Sequence, residues 1–344
     1  MEGLYFNINT GYLDALIRGY RNGLLSSANY INLTQCESLE DVKLQLSATE
    51  YSTFLSNVGG QLSTSIISQH ATGKLIEEYQ YFRSQAVEPL TTLMDYISYG
   101  YMIDNMALLI TGTLHERDTH ELLDRCHPLG WFDTMPALCV ATSIDELYNL
   151  VLVDTPLAKF FRETVTAADL DDLNIEIIRN SLYKSYLEDF YEWAGKQESP
   201  TRENLQSLLE FEADRRIINI ALNSFGSELT PEHRLALFPQ FGSVWETAAK
   251  QLARADDFDQ ARIAIESVGI YKSLFDSSGG QSIEDHFYRR EMELCKAVFT
   301  QQFSYAVIWA WLKAREQEIR NITWISECIA QNQKERIQNF ISVF

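Results

Sequence analysis

Basic residues are scarce in this chain. Its 344 residues carry 28 lysines and arginines against 48 aspartates and glutamates, for a net charge of −20. Such a surface repels phosphate backbones and the anionic leaflet of a membrane, so nucleic acid is not an expected partner and direct lipid insertion is not expected either. Long apolar runs are also missing. Met106–Ile110 and Tyr305–Leu312 are the best of them, and both fall far short of the ~20 residues a spanning helix needs. Seven prolines leave room for long uninterrupted helices, and no convincing period-two strand is present. The cysteines are five in number and dispersed: Cys36, Cys126, Cys139, Cys295 and Cys328. An odd, scattered set indicates neither a disulfide framework nor a zinc knuckle, and buried free thiols are the expectation. The opening Met1–Asn7 holds an acid and no basic stretch, unlike a secretory signal. The chain is therefore expected in the cytosol or on a cytosolic face, reaching a membrane only through a protein partner.

What the sequence does contain is helical periodicity and repetition. Leu182, Tyr186, Leu187, Phe190 and Tyr191 form one apolar stripe with Lys184, Glu188 and Asp189 opposite. Phe287, Met292, Leu294, Val298 and Phe299 form part of another, among the polar residues Glu284, Glu291 and Lys296. A last helix is predicted from near Phe303 to near Gln331. One short helical signature recurs four times, centred on Asn22, Asn105, Asn219 and Asn321. The second and third copies keep register: 39 residues separate Asn105 from Ile144 and Asn219 from Phe258, and 16 more lead to Phe160 and Leu274. The first copy is shorter, with 17 residues from Asn22 to Leu39 and 15 from there to Phe54. Such spacing marks repeated helical units. Read with the proline and glycine breaks, it divides the chain into units of about 1–86, 87–203 and 204–302, followed by a closing segment 303–344. A fourth unit that stops after its first helix fits a ring better than an open solenoid, which would need polar caps at both ends. If the ring closes, its first and last units touch, and Cys36 could then approach Cys328.

Catalytic motifs are weak. Gly73-Lys74 is followed by Leu75 where a phosphate-binding loop needs Ser or Thr. Asp171-Asp172-Leu-Asn-Ile-Glu176 is similar to the aspartate-rich helix of all-α terpene synthases, but the second metal motif such enzymes need is not matched, since Asn223–Ser227 lacks the adjacent acid. An acid-rich helix start, favoured by the helix dipole, is the preferred reading. His115 and His120 stand at a spacing that places them poorly for one metal on one helix face. The most individual stretch is Cys126-His-Pro-Leu-Gly-Trp-Phe-Asp133. Its proline and glycine stiffen a turn that presents aromatics, which is either a partner contact or a plug between helices.

These strings resemble one family along the whole chain: subunit d of the vacuolar-type proton-pumping ATPases, in its fungal form. The resemblance is carried by Gly19–Leu25 with Tyr30–Cys36, Asp95–Asn105, Arg125–Asp133, Val153–Pro156, Asn174–Asn180 and Tyr186–Phe190. It continues through Phe211–Arg216, Glu284–Tyr288, and Arg320–Ile325 with Ala330–Asn332. The resemblance implies an all-α funnel of three pseudo-symmetric helical repeat units closing into a ring, the fold of the C/d family shared with archaeal-type rotary ATPases. It also implies a non-catalytic subunit of the membrane sector, with no cofactor, seated on the cytosolic mouth of a proteolipid ring of c-type subunits. There it would receive the central-stalk subunits D and F, with subunit a as a further neighbour. The acidified organelle would be the vacuole, with this chain peripheral on its membrane. The residues singled out for coupling contacts are His127 and Trp131 on the stiff loop, Asp172 at the acidic helix start, and Glu316 and Trp324 around the fourth anchor. For each, core packing or a solvated charge is the alternative. A helical adaptor of membrane traffic is the alternative function.

Overall fold

The computed structural model describes residues 2–55, 58–59, 62–115, 117–138, 155–164, 175–275 and 282–344. Among them every regular element is helical, in line with the all-α expectation. In chain order the α-helices are α1 (Glu2–Asn22), α2 (Ser27–Thr34), α3 (Leu39–Ser47), α4 (Ser52–Leu55), α5 (Thr64–Gln85), α6 (Leu90–Leu114), α7 (Thr119–Arg125), α8 (Met135–Leu138) and α9 (Ala158–Thr164). They continue with α10 (Ile175–Gly195), α11 (Thr201–Asn223), α12 (Pro231–Ala236), α13 (Ser243–Thr247), α14 (Ala249–Arg254), α15 (Phe258–Glu266), α16 (Ile283–Thr300) and α17 (Val307–Ala330). Several begin where a serine supplies the missing acceptor. Ser26, Ser38 and Ser282 each form a capping box with the residue three positions on, which satisfies two otherwise orphaned backbone donors.

Packing divides the chain into two compact units. One comprises residues 1–91, 198–204 and 276–344; the other comprises 92–197 and 205–275. The first unit gathers the two ends of the chain, and the reason lies in α17. That helix has no glycine or proline and is buried on nearly all sides, from Val307 to Ile329. A helix without an exposed face needs partners around its whole circumference, and α17 takes α5, α16 and α1. Trp311 sits at its centre, fully buried, with its ring edge-on to Phe82 at 4.8 Å. The opening and closing segments of the chain are therefore packed together. The predicted stripes hold their places: Leu182, Tyr186, Leu187 and Phe190 are buried in α10, and Phe287, Met292, Val298 and Phe299 in α16. Glu291, expected among the polar residues of its helix, is buried instead, with Lys313 at 3.9 Å and Arg320 at 3.7 Å.

The recurrent asparagine acquires a physical role in two copies. In the second unit the Asn105 side chain accepts from the His127 backbone N–H at 2.7 Å and donates to the same residue's carbonyl at 2.8 Å. In the first unit Asn321 accepts from the Ile341 N–H at 3.1 Å and donates to its carbonyl at 2.6 Å. An asparagine amide has one donor end and one acceptor end, so it can replace a strand partner for a single residue of extended chain. The same device thus holds a loop in one unit and the C-terminal segment in the other.

Candidate partner interface

The loop pinned by Asn105 is the stiff aromatic stretch singled out in the sequence. His127 stacks on Tyr101 at 4.4 Å, and its Nδ1 accepts the Leu129 N–H at 3.2 Å. Pro128–Gly130 forms a single 3₁₀ turn. Gly130 lies so close to α6 that a Cβ would stand 2.4 Å from the carbonyl carbon of Tyr101, and no side chain fits there. Phe132 turns inward and is buried, whereas Trp131 is 47% exposed. The structure therefore separates the roles of the two predicted contacts. His127 is part of the clamp, and Trp131 is what the clamp presents.

The other predicted residues fall elsewhere. Asp172 lies outside the described residues. Glu316 is mostly buried and meets Lys313 at 3.2 Å. Trp324 is half-buried, donating its indole N–H to the Arg336 carbonyl at 3.2 Å beneath the Arg336 guanidinium. Both take part in ties within the first unit. Cys36 and Cys328 are buried free thiols, each held above the usual thiol range chiefly by burial.

Sequence reasoning passed over a cleft in the second unit. It has a volume of about 1040 Å³ and lies between α10 and α11, with the chain from Ser224 to Leu237 as its rim. Three arginines line it, in a molecule short of cations. Arg179 bridges to Asp104 at 2.8 Å. Arg216 covers the Tyr183 ring at 3.1 Å and meets Glu212 at 3.2 Å, with Arg215 at 3.8 Å from the same carboxylate. Each arginine is already matched by an acid, so the cleft offers paired charges and planar donors rather than a basic pocket. The Arg215-Arg216 doublet in so acidic a chain was the available signal. On α11, Asp214 is buried at 1% exposure. It accepts the Val244 N–H at 2.8 Å, at the start of α13, and the Tyr271 hydroxyl at 3.1 Å. Burial pushes its carboxyl up to about 7, with nearby Glu210 acting in the same direction and the hydrogen bonds opposing it.

A second group missed in the sequence lies inside the first unit. Arg315 and Glu318 on α17 are both wholly buried and joined at 2.6 Å. Arg315 also reaches Glu78 at 3.3 Å, and Glu78 pairs with Lys74. Glu318 accepts from the Tyr51 hydroxyl at 2.7 Å and from the Leu25 backbone N–H. Such a network ties α5, α17 and the end of α1 into one register, and each buried charge is matched by another.

Among the described residues no helix is long and apolar enough to cross a membrane, and no group of acids, histidines and cysteines is placed to hold a metal. The features that stand out are a clamped aromatic, a cleft of paired charges and a helix locked in its unit. The chain belongs to the ATP synthase (C/AC39) subunit family, whose profile matches residues 13–340. Over its full length it is 56% identical to the V-type proton ATPase subunit d of Neurospora crassa and 56% identical to that of Saccharomyces cerevisiae, covering all of both relatives. It is 50% identical to V-type proton ATPase subunit d1 of Arabidopsis thaliana, over 99% of this chain and 98% of that one. A traffic adaptor gains no support from these relatives.

Proposed function

We propose that this chain is the subunit d of a vacuolar-type proton pump. It would be a non-catalytic part of the membrane sector, coupling rotation of the central stalk to the proteolipid ring for proton transport and organelle acidification. The observation that carries the reading is identity above half, over the whole length, to fungal proteins of that name. Its partners in this reading are the c-type ring below, the stalk subunits D and F above, and subunit a as a neighbour, with the chain peripheral on the cytosolic face of the vacuolar membrane. Three pseudo-symmetric units forming a funnel would provide the seat for the stalk. A coupler must resist shear, and the interior supports that demand: α17 is held by matched buried charges and by apolar packing, both of which define one register. Trp131 is the contact we favour among the sequence-derived residues, because it is large, exposed and fixed before any partner arrives.

Extraction of native membranes with mild detergent should recover the chain together with the proteolipid. Recovery only in the soluble fraction under every condition, with no proteolipid, would overturn the reading. Within the recovered complex, Trp131→Ala should raise the fraction of chain released at a given salt concentration while leaving the fold intact by circular dichroism.

A further inference from the structure

The outer face of α1 carries an apolar stripe that nothing in its own unit covers. Tyr5, Ile8 and Tyr12 are 63%, 69% and 61% exposed, and Ala15 and Gly19 continue the line as exposed positions. The steps between these residues alternate three and four, which is the a/d seam of a helix that packs along another helix. The opposite face of α1 is already in use, with Phe6, Leu13 and Ile17 buried in the unit. The seam is thus a second apolar face, and an isolated folded unit gains nothing from it.

Two further observations bear on what covers it. Gly19 lies near the end of the seam, inside a helix, where glycine costs stability relative to alanine. A Cβ there would meet nothing within 4 Å, so the fold of this chain does not require the glycine, whereas a neighbour approaching closely would. At the other end of the patch, Phe303 is 39% exposed and stands edge-on to Phe6 at 5.8 Å. It holds a left-handed backbone, with φ of 62°, a strained state for an aromatic residue. Tyr81 of α5, 42% exposed, adds to the rim through its hydroxyl, 3.1 Å from that of Tyr12.

Charge selects the class of occupant. From Gly3 to Leu13 the chain has no charged residue, and its first basic residue is Arg18, although the molecule as a whole carries −20. A membrane-surface helix needs lysines and arginines beside its apolar face to reach anionic lipid; none stands between Gly3 and Leu13, and Arg18 is engaged by Asp14 and by the carbonyls of Phe299 and Gln301. A second copy would bring two strongly acidic molecules together. An uncharged seam of heptad spacing matches an uncharged seam of the same kind. We propose that the Tyr5–Ile8–Tyr12 face of α1 is a docking surface for one α-helix of a different protein, packed along α1 with an apolar, uncharged contact face. The inference concerns a surface other than Trp131 and the arginine-lined cleft, and it does not require the occupant to be a pump subunit.

The test is site-specific photocrosslinking in native membranes, with a benzophenone side chain replacing Tyr12 in the full chain and the adduct sequenced by mass spectrometry. The expected result is a crosslink to another protein, at positions recurring every three or four residues along one helix. Ile8→Asp in the same chain should cut the yield about tenfold or more, because it would bury an unpaired charge in the seam. Leu44→Asp, equally exposed in the first unit but off the seam, should leave the yield unchanged. Both variants should keep the melting temperature of the parent. Crosslinks to lipid, to a second copy of this chain, to a non-helical segment or to nothing would each overturn the proposal, as would a yield indifferent to Ile8→Asp. These outcomes are read independently of whether proteolipid co-purifies, so failure here and failure of the functional reading are distinguishable.

Discussion

Asp214 shows how far a single residue departs from what its type implies. In the sequence it is one of two acids in Phe211–Arg216; in the structure its carboxyl is buried and pushed up to about 7. A folded value raised above the unfolded one means that the fold prefers the protonated form. The contribution of this group to stability is therefore greatest at acid pH and is lost as pH rises from about 4 to about 7, by up to ~4 kcal/mol. Asp214→Asn should flatten that part of the profile, so the stability difference between variant and parent should grow in favour of the variant from pH 5 to pH 8. Urea titration at the two pH values measures it. Gly130 is decided by a close approach of backbone. Gly130→Ala must displace either the loop or α6, and the expected result is a lower melting temperature with Trp131 fluorescence shifted toward that of a mobile, solvated indole.

At the scale of elements, the clamps and the buried network are what hold segments distant in sequence together. Asn321→Ala would leave the N–H and carbonyl of Ile341 buried without their partner, a loss of about 2–4 kcal/mol. The same change should open the C-terminal segment, where Phe340 stacks on Tyr30 at 4.9 Å and Phe344 lies under Arg21 at 4.6 Å. Hydrogen exchange across 335–344 should rise in the variant while exchange in α10 stays unchanged. Within α17, two glutamates two residues apart should respond differently. Glu318→Ala removes the nearer of the two acids that Arg315 meets, at 2.6 Å against 3.3 Å for Glu78, at a site with no solvent, and should cost about 3–5 kcal/mol. Glu316→Ala removes a pair at the edge of the helix and should cost about 1 kcal/mol or less. Chemical denaturation of the two variants side by side gives the comparison; equal losses would mean that Glu318 is not the keystone of this network.

For the whole molecule, the charge of −20 sets the terms of association. Flotation with vesicles rich in phosphatidylserine should leave the purified chain unbound at both low and physiological salt, since a surface of that sign is repelled by the leaflet and no polybasic segment offsets it. In the proposed assembly, attachment to the membrane would run through protein contacts, for which the clamped Trp131 and the seam of α1 supply exposed apolar surface.

Much of this was legible beforehand. Helices reveal themselves by the spacing of apolar residues, and the stripes of α10 and α16 follow that spacing because a one-sided core demands it. The anchor asparagines were visible as repetition, but not as clamps, because the residues they hold stand 22 and 20 positions away and are ordinary in composition. Glu291 read as a polar-face residue, and Arg315 and Glu318 gave no signal, since a sequence shows a charge but not the partner that permits its burial. Glu316 and Trp324, read as contacts, also make bonds within their unit that their spacing could not reveal. The helical class, the acidity of the surface, the recurrence of the asparagine signature and the family could be read from the order of residues, because local periodicity and long shared strings need no knowledge of what folds against what. Which acids lie inside, that Trp131 rather than His127 faces outward, that paired arginines line a cleft, and that the closing helix packs with the opening segment emerged with the fold. Those outcomes depend on contacts between residues far apart in the chain, where burial and the choice of partner set the energy of each side chain.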